Sequence, residues 1–146
     1  MNVKRNVEVL LVEDNAGDAR LVQEAFKEWR MVNRLHHVQD GEEAMAFLRG
    51  EGAHAGAPRP DLVLLDLNLP RRDGRQVLTE MKADPLLKSI PVVALTTSSE
   101  REDVDACYQA GANAFVTKPL DFTAFFNALS ALKLFWFSVV TLPDGD

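Results

Sequence analysis

The sequence predicts an α/β protein, a doubly wound parallel sheet with helices on both faces, and three observations predict it. Five short runs rich in Val and Leu alternate with helical patterns, without any internal repeat. Two of those runs, Leu62–Leu65 and Val92–Leu95, are almost continuously aliphatic, as central parallel strands covered on both faces must be. Helix-start signals stand between the runs rather than in one block, which is the order of strand-helix units.

The elements follow in order. Val7–Val12 is the first strand, and Leu21, Val22, Ala25, Phe26 and Trp29 recur at helical spacing on a first helix that starts near Asn15 or Ala16. Leu35–Val38, the weakest run, is the second strand. Asp40-Gly-Glu-Glu43, Asp73-Gly-Arg-Gln76 and Ser99-Glu-Arg-Glu102 each place an oxygen-bearing cap three residues before an acid or amide, marking three more helix starts. Arg49–Pro60, rich in Gly, Ala and Pro, reads as a mobile loop rather than a domain linker. Pro85 stops the third helix at Ala83 or Asp84, and Gly111 ends the fourth. Ala114–Val116 is the fifth strand, and on a final helix Phe122, Phe125, Phe126, Leu129 and Leu132 build the face toward the sheet.

Composition narrows the function. A chain of 146 residues with 47% hydrophobic content supports one well-buried core, not two ordinary domains. The formal net charge of -6 argues against a nucleic-acid surface, which needs clustered Lys and Arg. No apolar stretch is long enough to span a membrane and no secretory signal opens the chain, so a cytoplasmic setting is expected, with no membrane partner. The single cysteine, Cys107, has no partner for a disulfide or zinc site and reads as buried and reduced. His36 and His37 lie in a strand and His54 in the loop; strand packing or surface roles suit them better than a phosphorelay role, which needs a long amphipathic helix.

In a doubly wound sheet, ligands gather outside the carboxyl ends of the strands. Glu13 and Asp14 end the first strand, Asp66 and Asn68 the third, Thr96 and Thr97 the fourth, and Lys118 follows the fifth. Any one of these polar residues alone is most simply a cap or a surface group; together they converge on one rim. Three close carboxylates repel one another, and unless a cation is present one of them tends to keep a proton. Mg2+, which takes hard oxygen ligands, suits Glu13, Asp14 and Asp66 with the backbone carbonyl of Asn68. A carboxylate beside such an ion can attack phosphorus, giving an aspartyl phosphate at Asp66. Lys118 then neutralises phosphoryl charge, the Thr96 hydroxyl bonds a phosphoryl oxygen, and amides near Leu67 and Thr97 complete the cradle.

Four blocks make a family resemblance specific: Val12-Glu-Asp-Asn15, Leu65-Asp-Leu-Asn-Leu-Pro-Arg-Arg-Asp-Gly74, Ala94-Leu-Thr-Thr97 and Gly111-Ala-Asn-Ala-Phe-Val-Thr-Lys-Pro-Leu120. From about Val7 to Leu132 the chain resembles the receiver domains of two-component response regulators. The resemblance implies a flavodoxin-like (βα)5 sheet of strand order 2-1-3-4-5, in one domain over 1–146 with a short apolar extension at 133–146. It implies that Asp66 accepts a phosphoryl group from a sensor histidine kinase, that Glu13 and Asp14 bind Mg2+, and that Lys118 contacts the phosphoryl group. Thr96 becomes the switch hydroxyl and Phe115 the switch aromatic, with a core role as the plainer alternative for Phe115. Such a protein is not an enzyme beyond catalysing its own phosphorylation and dephosphorylation.

Two features depart from the common pattern. The acidic pair is Glu13-Asp14 where the family more often has two Asp, so Glu13 reaches the metal through water in one reading. Phe135, Trp136 and Phe137 add an aromatic triplet beyond the expected core face, which suggests a homodimer interface, with folding back on the domain as the alternative. The tail and the Leu120-Asp-Phe run are similar to single-domain regulators of bacterial and cyanobacterial phytochromes, which implies a phytochrome-type kinase as partner. The few residues after Leu132 leave no room for an output domain, so output through a protein contact is expected. A haloacid-dehalogenase-like aspartyl phosphatase wants a second Asp where Asn68 stands. A flavodoxin-like flavin carrier would place phosphate on the acidic first loop.

Overall fold

The computed structural model describes residues 7–27, 33–67, 69, 73–96, 104–105, 108–112, 114–118, 123–124 and 126–131, without the side chains of Asn33, Thr96, Phe115 and Thr117. Strands β1 (Val7–Val12), β2 (Asn33–Val38), β3 (Leu62–Asp66), β4 (Val92–Thr96) and β5 (Ala114–Thr117) form one parallel sheet in the order β2-β1-β3-β4-β5. The expected order is therefore the observed one, with β1 and β3 side by side at the centre. Each strand except β1 runs one or two residues further than its aliphatic run. The additions, Asn33-Arg34, Asp66, Thr96 and Thr117, are polar and so carry no hydrophobic signal.

Period-2 alternation divides the core into two layers. Leu10, Val12, Val63, Leu65, Val92 and Ala94 share one cluster with Val77, Leu78 and Met81 of helix α3 (Gly74–Ala83) and Ala44, Met45 and Phe47 of helix α2 (Gly41–Arg49). Val9, Leu11, Leu62, Leu64, Val93 and Leu95 share the other with Ala19, Val22, Ala25 and Phe26 of helix α1 (Ala16–Lys27) and with Leu129. Both faces of β3 are thus buried, which is why its sequence shows no alternation. Burial of a Leu side chain contributes about 2 kcal/mol, so the paired clusters hold the strand ends as a stiff base.

The helix starts match their caps. The Asp40 carboxylate accepts from Glu43 N–H at 2.8 Å, and the Glu43 carboxylate reaches back to Gln39 N–H at 3.0 Å, one residue before the cap. Asp73 and Gln76 form a reciprocal box, with Gln76 Oε1 3.0 Å from Asp73 N and Asp73 Oδ1 2.6 Å from Arg75 N. The Ser99 box lies outside the described residues, as does Cys107, although Val104, Asp105, Tyr108 and Gln109 are helical. Gly111, with φ of 109°, follows this helical stretch, and its N–H bonds the Tyr108 carbonyl at 3.1 Å. The segment after α2 contains a short 3-10 turn at Gly52–His54 and successive hydrogen-bonded turns, more regular structure than its composition predicts.

Candidate functional site

The carboxyl ends of β1 and β3 place Glu13 and Asp66 side by side, because these strands pair with Val12 opposite Leu65. Glu13 is fully buried, Asp66 nearly so, and Asp14 is exposed. One carboxylate oxygen from each of Glu13, Asp14 and Asp66 lies within 4.8 Å of the others, close enough for a single cation to bridge them. Lys118, one residue past β5, projects its buried ammonium into this group. Its Nζ lies 2.5 Å from Glu13 Oε1, 3.1 Å from Asp18 Oδ2 and 3.2 Å from Asp66 Oδ2.

Charge sets the chemistry. Among the described residues four carboxylates face one ammonium, so that group is strongly negative when ionised, and burial makes this costly. Burial pushes the Glu13 carboxyl up to about 8; its hydrogen bond with Asp66 adds to the rise and Lys118 opposes it. Glu13 accordingly takes up a proton more readily than an ordinary carboxyl, and added positive charge opposes that uptake. Burial alone would lower the Lys118 ammonium, but Glu13, Asp66 and Asp18 together hold it above its ordinary value. Lys118 is a fixed positive charge across the physiological range.

Local structure aims these groups. Asn15 N–H donates to Glu13 Oε2 at 3.2 Å, and Asn15 Oδ1 accepts from Asp18 N–H at 2.9 Å, capping α1 and bringing Asp18 into its first turn. Gly74 presses the start of α3 against the end of β3. Its N–H meets the Leu67 carbonyl at 3.3 Å, and a Cβ there would stand 2.4 Å from the Asp66 carbonyl oxygen and 2.7 Å from Leu67 Cα. No residue with a side chain fits between that helix and the strand end without moving Asp66.

The sequence therefore anticipates Glu13, Asp14, Asp66 and Lys118 as a cluster, and the structure brings these four together. Thr96 ends β4 opposite Thr117, and Phe115 lies in β5 opposite Ala94; their side chains lie outside the described residues. Asn68, Phe135, Trp136 and Phe137 also lie outside them. Asp18 was missed. Its signal was an acid in the first turn of a helix whose N-terminus faces the strand ends, which sequence reading takes as an ordinary dipole partner.

A doubly wound sheet in this order, with acids just past β1 and at the end of β3 and a lysine after β5, is the frame of a signalling receiver, and the chain belongs to the response regulator receiver domain family, whose model matches residues 9–130. It is similar to the response regulator Rcp1 of Synechocystis sp., with 47% identity over 135 residues and 92% of each chain covered. Among solved structures, it is similar to the phosphorylated cyanobacterial phytochrome response regulator RcpA, with a TM-score of 0.93 and 46% identity over 96% of this chain and 100% of that one. It is likewise similar to the Mn2+-bound form of Rcp1, with a TM-score of 0.91 and 46% identity over 94% of this chain and 99% of that one. The family assignment leaves the dehalogenase-like phosphatase and flavin-carrier readings without support. It makes the chain a signalling receiver that is homologous to phytochrome response regulators.

Proposed function

We propose that Asp66 is the phosphoacceptor of a two-component phosphorelay, and that Glu13, Asp14 and Asp66, with the Asn68 carbonyl, hold Mg2+ beside it. The observation that carries this reading is the Lys118 ammonium 3.2 Å from Asp66 Oδ2 within a group of carboxylates that one cation can bridge. The donor set consists only of hard oxygens, which suits magnesium. When bound, the ion supplies positive charge next to the phosphoryl oxygens.

An Asp66 carboxylate oxygen forms a bond to phosphorus as the bond from phosphorus to the donor's imidazole nitrogen breaks, and the imidazole leaves with the electron pair. Lys118 turns from Asp66 toward the phosphoryl oxygens, keeping its contact with Glu13. Thr96, at the end of the neighbouring strand, supplies the hydroxyl that reads the new charge, and Phe115 follows it as the switch aromatic. The same site promotes the chain's own dephosphorylation by water, so its catalysis is confined to itself.

The partner in this reading is a sensor histidine kinase of the phytochrome type, supported by the likeness to Rcp1 and RcpA. The exchange takes place in the cytoplasm, the compartment that holds the kinase's ATP. Among the described residues no helix is long and apolar enough to cross a membrane. Residues 1–146 act as one receiver domain with an apolar extension at 133–146, and Phe135, Trp136 and Phe137 of that extension supply a homodimer interface through which output is a protein contact. The test is intact mass after incubation with Mg2+ and acetyl phosphate. Wild type gains one phosphoryl group and Asp66→Asn gains none; equal gain by both rejects Asp66 as the acceptor.

A further inference from the structure

We propose that His37 is a positioning residue for the acidic pair, holding the Glu13-Asp14 peptide in place through a hydrogen bond to the Glu13 carbonyl; this rests on the metal reading of the site.

The β1–β2 register sets His37 beside Leu11 and Val38 beside Val12, so β2 extends just far enough to meet the chain as it leaves β1. Glu13 N–H donates to the Val38 carbonyl at 3.0 Å, and His37 Nε2 lies 2.7 Å from the Glu13 carbonyl oxygen. A carbonyl only accepts, so Nε2 carries the hydrogen in this contact. Both peptide groups that flank Glu13 are thereby tied to β2. A peptide group is planar from one Cα to the next, so fixing the Glu13 oxygen also fixes the Asp14 Cα, from which the exposed carboxylate of the pair springs. Asp14 has no burial of its own to hold it.

Strand packing is the plain alternative, and the neighbouring histidine illustrates it. His36, on the opposite face of β2 by alternation, bonds Glu8 Oε1 at 2.7 Å, and its ring lies 5.2 Å from that of Phe47. His37 instead spends its Nε2 hydrogen on the loop that carries the acids. The two roles separate by side-chain length. A glutamine amide nitrogen falls near the position of Nε2, whereas an asparagine amide nitrogen falls near Nδ1 and stops short of the carbonyl.

The experiment is calorimetric titration of Mn2+ and of Mg2+ into full-length wild type, Asp14→Asn, His37→Gln and His37→Asn at one pH, with thermal unfolding of each recorded without metal. Wild type binds saturably and Asp14→Asn binds more weakly. His37→Gln stays within about twofold of wild type, while His37→Asn weakens by about tenfold, the size expected when an orienting partner outside the ligand shell is lost. Both His37 variants unfold at similar temperatures. Equal affinity of His37→Asn and wild type overturns the proposal, and so does a His37→Gln that weakens as much as His37→Asn. If wild type takes up no metal, or Asp14→Asn binds as wild type does, the metal reading itself fails and the role of His37 fails with it.

Discussion

Lys118 Nζ stands 3.2 Å from Asp66 Oδ2, across 52 residues of sequence, with the remaining ammonium hydrogens directed to Glu13 and Asp18. One buried cation thus organises acids from β1, α1 and β3, and it is held by the groups whose charge it balances.

Lys118→Met leaves Glu13 and Asp66 facing each other without that cation. Removing one partner from a buried ion pair costs about 3 kcal/mol or more. The raised Glu13 carboxyl limits the loss, because Glu13 can take up a proton instead. Urea unfolding without metal is expected to show a lower midpoint for the variant at pH 8, a smaller gap at pH 6, and partial recovery at pH 8 on adding Mg2+.

Asp18→Asn removes a Lys118 partner that is partly exposed, with 25% of its side chain accessible. Pairs open to solvent contribute little, about 0.5 kcal/mol, so the unfolding midpoint barely moves. If Lys118 must turn toward the phosphoryl group, the lost competitor speeds phosphorylation by roughly twofold to threefold, the rate equivalent of that energy. Stopped reactions with acetyl phosphate measure it.

Gly74→Ala forces a methyl group against the Asp66 carbonyl and Leu67. Overpacking at so tight a contact costs about 1–3 kcal/mol. The expected outcome is a lower thermal midpoint together with weaker Mn2+ binding, because the strand end that carries Asp66 must shift to make room.

Glu8 carries the acid-side pH dependence away from the site. Its carboxylate takes Arg34 Nε at 3.0 Å, Arg34 Nη2 at 2.6 Å and His36 Nε2 at 2.7 Å. Burial alone would raise its pKa, but Arg34 and His36 together lower it below the ordinary 4.5. A lowered folded value means the stabilisation is full above 4.5 and is lost as pH falls through that lower value. Glu8→Gln is expected to lose about 1–2 kcal/mol at neutral pH, as for a charge-assisted hydrogen bond with a solvent-exposed partner. Its denaturation curve should converge on that of wild type in acid.

The fold was legible because aliphatic runs and caps are local signals. Leu62–Leu65 announces a strand buried on both faces, and Asp73 with Gln76 announces a helix start one residue later. The metal-ligating candidates were legible because acids directly follow β1 and close β3, and parallel pairing carries strand ends to one rim. Asp18, His37 and the tight fit of Gly74 were not. Each acts through a contact set by register or by the angle between elements, and neither quantity leaves a mark in composition or spacing. His37 reads from sequence as a strand histidine like His36, and only the pairing of β2 with the end of β1 distinguishes them.

The identity of the acceptor is tested most directly by borohydride reduction of protein treated with Mg2+ and acetyl phosphate, followed by peptide mass analysis, since reduction converts an aspartyl phosphate to homoserine. The account predicts homoserine at position 66 alone, dependent on both Mg2+ and acetyl phosphate. Its appearance at Asp14 or Asp18, or its absence from position 66 in protein that has gained a phosphoryl group, would contradict it.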